Sequence, residues 1–183
     1  LEKHGLSIVK TKSTKELKIR AKELFNVLNE AYSVLHEFTK LNEKQIDAYI
    51  AQYIPLINKD MICMIEDRNK KIIGFAITMP SLSKAFQKAK GKLFPFGWYH
   101  MLKALRAKQM QKFDLLIIAV RPDYQDKGLN AVIIADQHPY FVKYGIKEVE
   151  TTAILETNTK NQTHWEMFPH RIHKRRRAYL KDI

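Results

Sequence analysis

The chain has one cysteine, Cys63, so no disulfide can form within it and packing must hold the fold together. Cys63 lies in the apolar run Met61-Ile62-Cys63-Met64-Ile65, where it reads as a small buried hydrophobe rather than a reactive thiol. Serines are few and none stands in a nucleophile-elbow sequence, which excludes a Ser/His/Asp hydrolase. No apolar run reaches the roughly 20 residues that a spanning helix needs. The opening residues lack the charged, apolar and small-residue order of a signal peptide, and a soluble, cytoplasmic protein is expected. Glycine and proline number six each and never cluster into a linker, so 183 residues with 45% hydrophobic content read as one domain with a sizeable core. His164, His170 and His173 lack the tight spacing and companion carboxylates of a metal site, and no metal is expected.

Acidic residues are also missing, and from one place. Between Arg68 and Phe113 there is none, while lysines and arginines recur from Arg68 to Lys112. A second basic cluster, Arg171 to Lys181, follows near the end, and the formal charge of the whole is +13. Either cluster would attract a polyanion: a nucleic acid, a phosphorylated substrate or a phosphate-bearing cofactor. The acid-free segment also carries the aromatic turn Phe94-Pro95-Phe96-Gly97-Trp98-Tyr99-His100. Interleaved aromatics and cations serve single-stranded nucleic-acid binders, and they equally serve a helical lid packed on a sheet.

What is present alternates between strand and helix periods. Leu6 to Lys10 reads as a short strand, Lys15 to about His36 as a long helix, and Ile46, Tyr49, Ile50, Tyr53 and Ile54 as the stripe of a second helix ending before Pro55. Met61–Glu66 and Lys71–Met79 form a hairpin across Asp67-Arg68-Asn69-Lys70. Residues 81–111 read as a helical insertion, and Phe113–Val120 as a buried strand. Asn130–Tyr144 is a helix closed by Gly145 and kinked at Pro139. Glu148–Thr157 reads as a strand, Lys160 to about His170 as a short helix and Arg175–Lys181 as a closing strand. The opening Leu1-Glu2-Lys3-His4-Gly5 resembles a helix end closed by glycine, as in the C-terminal part of a longer polypeptide.

One junction is the most informative. The strand Phe113–Val120 stops at Arg121-Pro122, turns through Asp123-Tyr124-Gln125-Asp126-Lys127-Gly128 and enters a helix at Leu129-Asn130. Helix starts leave backbone N–H groups unpaired, and glycine lets a ligand approach them closely, so the junction is suited to an anion. It resembles the GNAT superfamily of N-acetyltransferases, in which a strand ending near Val-x-Pro precedes Gln/Arg-x-x-Gly-x-Gly/Ala and a helix. Gln125 and Gly128 fit; Asn130 stands where a second small residue is usual, and its side chain either crowds a diphosphate or caps the helix. The element order agrees along most of the chain, with the insertion as an addition.

The resemblance implies an α/β (α+β) fold: a mixed, twisted central sheet flanked by helices, splayed between the strands ending at Val120 and Thr157. It implies acetyl-coenzyme A as co-substrate, its diphosphate on Gln125, Asp126, Lys127, Gly128, Leu129 and Asn130, its pantetheine arm on the backbone of Ile118, Ala119 and Val120, and Asn161 beside that arm. The acceptor is then an amine, with a basic rim suited to an acidic or phosphorylated molecule. Acyl transfer to an amine needs a proton acceptor, and Glu156 near the end of its strand is the candidate base, with Glu150 on the same face by the two-residue period. The tyrosine that many GNAT members place seven residues past an asparagine is absent: counting from Asn161 reaches Phe168, leaving His164 as an alternative acid. The missing tyrosine and Asn130 also suit a second expectation, a GNAT-shaped module without transfer chemistry that binds nucleic acid or another polyanion.

Overall fold

In the computed structural model, residues 1, 5–35, 38–177, 179 and 181 are described. The chain divides into two compact units, Leu1–Thr152 and Ala153–Ile183. The first contains a five-stranded mixed sheet in the order β1-β2-β3-β4-β5, formed by β1 (Ser7–Val9), β2 (Ile62–Glu66), β3 (Ile72–Pro80), β4 (Lys112–Val120) and β5 (Glu148–Thr151). All neighbours are antiparallel except β4 and β5, which run parallel. Through β5 the order of elements follows the expected one, and the helical insertion lies between β3 and β4 as α3 (Ser83–Lys88) and α4 (Gly97–Leu105).

Helix α1 (Thr14–Tyr32) starts where the Ser13 hydroxyl accepts the Glu16 N–H at 3.2 Å. Its buried stripe, Leu17, Ala21, Leu24, Val27, Leu28 and Ala31, recurs at helical spacing. Helix α2 (Glu43–Tyr53) begins with a reciprocal capping box between Asn42 and Gln45 and buries Ile46 and Ile50. These residues and the inward faces of β2 and β3 make the main core, with Ile62, Met64, Ile72, Phe75 and Ala119. Burying each such Leu or Ile contributes about 1.5–3 kcal/mol relative to exposure. The β2–β3 turn is set by Asp67, whose Oδ1 accepts the N–H groups of Asn69 at 2.9 Å and Lys71 at 3.0 Å.

On the other side of the sheet, α5 (Leu129–Tyr144) runs through Pro139 and ends at Gly145 in the left-handed region, φ +70°. Phe113 packs against its Phe141 and Tyr144. Buried Gln137 meets the Thr78 hydroxyl at 3.3 Å, and Lys10 pairs with Asp136. Cys63 is fully buried, and burial with the neighbouring Asp136 pushes its thiol pKa far up, so it is packed and protonated.

Three expectations change. The strand read over Glu148–Thr157 stops at Thr151, because β4 leaves the ladder there. The insertion, read as helical over 81–111, has its last helix end at Leu105. In the second unit, α6 (Thr159–Glu166) is the regular element, and residues 171–177 form no strand; the closing strand expected over Arg175–Lys181 otherwise includes residues outside those described.

Candidate functional site

Strands β4 and β5 pair from Lys112↔Glu148 to Leu115↔Thr151, with one further bond from the Thr152 N–H to the Leu115 carbonyl at 3.3 Å. Past that point β4 continues to Val120 with β3 as its ladder partner, so among the described residues its other edge has no strand paired to it. The parting coincides with a bulge: Thr78 faces Leu115 and Ile77 faces Ile117, leaving Leu116 as the extra residue. A bulge bends the strand and re-aims its backbone groups.

The bulge decides which groups face the opening. Arg121 donates its N–H to Ile73 O at 2.8 Å, so alternation turns the backbone of Ala119 toward β3 and those of Ile118 and Val120 toward the open edge. Ala119, expected to pair with a pantetheine arm, is therefore committed to the sheet. The edge carbonyls already have protein donors: the Tyr32 hydroxyl at 3.1 Å on Ile118 O, and Gln125 Nε2 at 3.0 Å on Val120 O. Among the described residues, what this edge has left to offer is the N–H groups of Ile118 and Val120.

The turn after β4 passes through a 3-10 turn, Pro122–Tyr124, to Gln125. Asp126 and Gly128 both adopt positive φ, +60° and +72°. The first bonds inside α5 run from Ala131 and Val132 N–H to Gly128 O, at 3.1 and 3.3 Å, so the N–H groups of Leu129 and Asn130 precede them and carry the positive end of the helix dipole. No side chain caps this helix, which leaves Asn130 without the capping role. A Cβ placed on Gly128 would meet no atom within 4 Å, so the face before the turn is open. Gln125 contributes by tying the turn to the end of β4, while Lys127 is exposed, its ammonium 4.6 Å from the Tyr124 ring centroid. The Leu129 side chain is buried and roots the helix start in the core. The turn thus leaves backbone N–H groups beside an open face, with the Asp126 carboxylate exposed nearby.

The remaining expected residues lie in the second unit. Glu156 occupies a turn with its side chain 80% exposed, ion-paired with Arg177 at 3.1 Å. Glu156 was read as a strand residue, and the structure corrects that placement: β5 ends at Thr151, five residues earlier. Asn161 Oδ1 accepts the Trp165 indole N–H at 2.9 Å, so this oxygen serves the helix itself. His164 sits against Trp165 and Phe168; burial lowers its pKa, which keeps the ring neutral near pH 7. Its Nε2 has no hydrogen-bond partner among the described residues.

Asp114 and Tyr32 carried no signal in the sequence. Asp114 lies opposite Glu150 in the parallel ladder, one residue before the strands part. Its Oδ1 is buried and unpartnered among the described residues, and burial raises its pKa, with Glu150 adding to the rise while Ser81 and Lys112 oppose it. Glu150 is paired with Lys112 at 2.6 Å. Tyr32 is a largely buried phenol whose burial raises its pKa, so it stays protonated at the open edge. Only long-range pairing reveals either group, α1 setting Tyr32 against Ile118 and β5 setting Glu150 opposite Asp114. Among the described residues, no group of three or more His, Cys, Asp or Glu side chains could hold a metal ion.

The chain aligns with solved acetyltransferases over nearly their whole length. AAC(6')-Iy, solved with the bisubstrate analogue CoA-S-monomethyl-acetylneamine, aligns with a TM-score of 0.55 at 13% identity, covering 97% of this chain and 99% of the other. The chain has the GNAT acetyltransferase fold. No family model matches the chain. Protein YghO of Escherichia coli K12 is 29% identical over 152 residues, covering 81% of this chain and 37% of the relative. Bacterial ceramide synthase of Caulobacter vibrioides is 23% identical over 145 residues, covering 77% of this chain and again 37% of the relative. The chain thus spans under two-fifths of the length of these curated relatives.

Proposed function

We propose that this chain binds an acyl-coenzyme A and transfers its acyl group to an amine. One observation carries the reading: the open edge of β4 leads directly into the positive-φ turn at Gly128, with nothing within 4 Å of where its Cβ would stand. The Leu129 and Asn130 N–H groups suit the diphosphate, and the edge N–H groups of Ile118 and Val120 suit the amide carbonyls of the pantetheine arm. The thioester supplies an activated acyl carbon; the amine nitrogen forms a bond to it as the bond to sulfur breaks, and the amine gives up a proton.

Asp114 is the carboxylate best suited to take that proton. A raised pKa brings a carboxylate nearer to the value a general base needs at neutral pH, and Asp114 stands where β4 and β5 part. Tyr32, protonated at the same edge, suits return of a proton to the departing thiolate. The likeness to a protein named bacterial ceramide synthase favours a longer-chain acyl donor and a lipid-like amine over a small polar acceptor, since a ceramide is the N-acyl derivative of a long-chain amine.

Calorimetric titration with acetyl-coenzyme A and palmitoyl-coenzyme A tests this. Micromolar binding is expected, and Gly128→Glu should abolish it by placing a charged side chain before the turn. A folded chain that binds neither thioester would sink the reading and leave the polyanion-binding alternative.

A further inference from the structure

The α3–α4 hairpin presents apolar side chains that the protein does not cover. Leu93, Phe94 and Phe96 are 51%, 76% and 72% exposed, and Trp98 and Tyr99 about half. Their exposure does not come from a disordered backbone. Gly91 N–H donates to Phe86 O, Lys92 N–H to Ala89 O, Trp98 N–H to Leu93 O, and the Trp98 indole N–H to Pro95 O at 2.9 Å. Gly97 closes the loop so tightly that a Cβ there would lie 1.8 Å from Lys92 O. The backbone is thus pinned in a shape that turns hydrophobic rings outward, at a cost in hydration that a partner must recover.

The charge around these rings identifies the partner. Lys84, Lys88, Lys90, Lys92 and Lys103 are exposed on the same hairpin, and no acidic residue occurs from Arg68 to Phe113. Lysine stems can lie along an apolar surface while their ammonium groups reach outward. Exposed Leu, Phe, Trp and Tyr on one hairpin with five exposed lysines and no acidic residue are the combination that enters the boundary between headgroups and acyl chains. A nucleic-acid reading fits less well, because Leu93, exposed among these rings, offers no stacking face.

We propose that the α3–α4 hairpin docks the protein onto an anionic lipid bilayer, with Leu93, Phe94 and Phe96 entering the interface and the surrounding lysines meeting headgroup phosphates. This is independent of the acyl-transfer reading, since none of these residues lies on the β4 edge or the Gly128 turn.

Vesicle flotation tests it, using phosphatidylcholine alone and phosphatidylcholine with about 30% phosphatidylglycerol. The wild-type chain should float with the anionic vesicles and much less with the neutral ones. Phe94→Ser/Phe96→Ser and Lys88→Glu/Lys92→Glu should each weaken this partitioning at least about ten-fold. Far-UV circular dichroism and acetyl-coenzyme A affinity should stay as in the wild type. No flotation of the folded wild-type chain, flotation unaffected by loss of the two phenylalanines, or binding of single-stranded RNA without vesicle binding would each overturn the proposal.

Discussion

Asp114 and Glu156 illustrate what sequence can reveal about a single residue. Glu156 continues the alternation of Glu148–Thr157 and so reads as a strand residue, yet alternation cannot say where a partner strand withdraws. The structure ends β5 at Thr151 and gives Glu156 to Arg177. Asp114 looks like an unremarkable polar residue at a strand start, and becomes chemically distinctive only through burial, Ser81 and Glu150. Asp114→Asn should reduce kcat/KM for acyl transfer by about 100-fold or more, the scale of a lost general base. The wild-type rate should rise with pH through the raised pKa, and the variant should lose that limb. The stability effect has the opposite sense. A carboxyl whose folded pKa exceeds its unfolded value holds more protons when folded, so its contribution is fully present below the unfolded pKa and is lost as pH rises through the folded pKa. Urea midpoints should therefore show Asp114→Asn at least as stable as the wild type at pH 7, with no such advantage near pH 3.

Among the elements, those with strong local signals were legible. Capping at Ser13 and Asn42, the Asp67 turn and the Gly145 stop act within a few residues, and they fix α1, α2, the β2–β3 hairpin and the end of α5 close to where periodicity puts them. The bulge at Leu116 left no trace in the sequence, because it arises from the mismatch of β3 against β4 rather than from any residue's preference. It is nevertheless what turns Ile118 and Val120, and not Ala119, to the open edge. The insertion was legible as helical, but its hairpin geometry depends on Gly97, which a pattern of apolar residues does not reveal. Gly97→Ala would force its Cβ against the Lys92 carbonyl, and because the obstacle is backbone, relief requires moving the chain. A loss of about 1–3 kcal/mol is expected, as for overpacking, measured by denaturant unfolding. If the thermal and chemical midpoints were unchanged, the hairpin would not be closed as described.

For the whole molecule, the two units predict different behaviour. Leu1–Thr152 contains the sheet and the buried stripes of α1, α2 and α5, whereas α6 in the second unit has no buried residue. Opening free energies follow burial, so amides of β2, β3 and the core side of β4 should exchange with solvent only near global unfolding, and those of 159–166 far sooner. Hydrogen exchange resolved by peptide would measure this, and uniform protection would refute it. The same experiment locates the cofactor. With saturating acetyl-coenzyme A, protection should grow at Ile118, Val120, Leu129 and Asn130, whose N–H groups face the open edge or precede the first bonds of α5, and not at Ala119, already bonded within the sheet. Peptides spanning 93–99 should be unchanged by acetyl-coenzyme A and slowed by anionic vesicles. If acyl-coenzyme A instead protected the hairpin and left the Gly128 turn exchanging as before, the diphosphate would belong to the basic insertion, and the assignment of the Gly128 turn would fall.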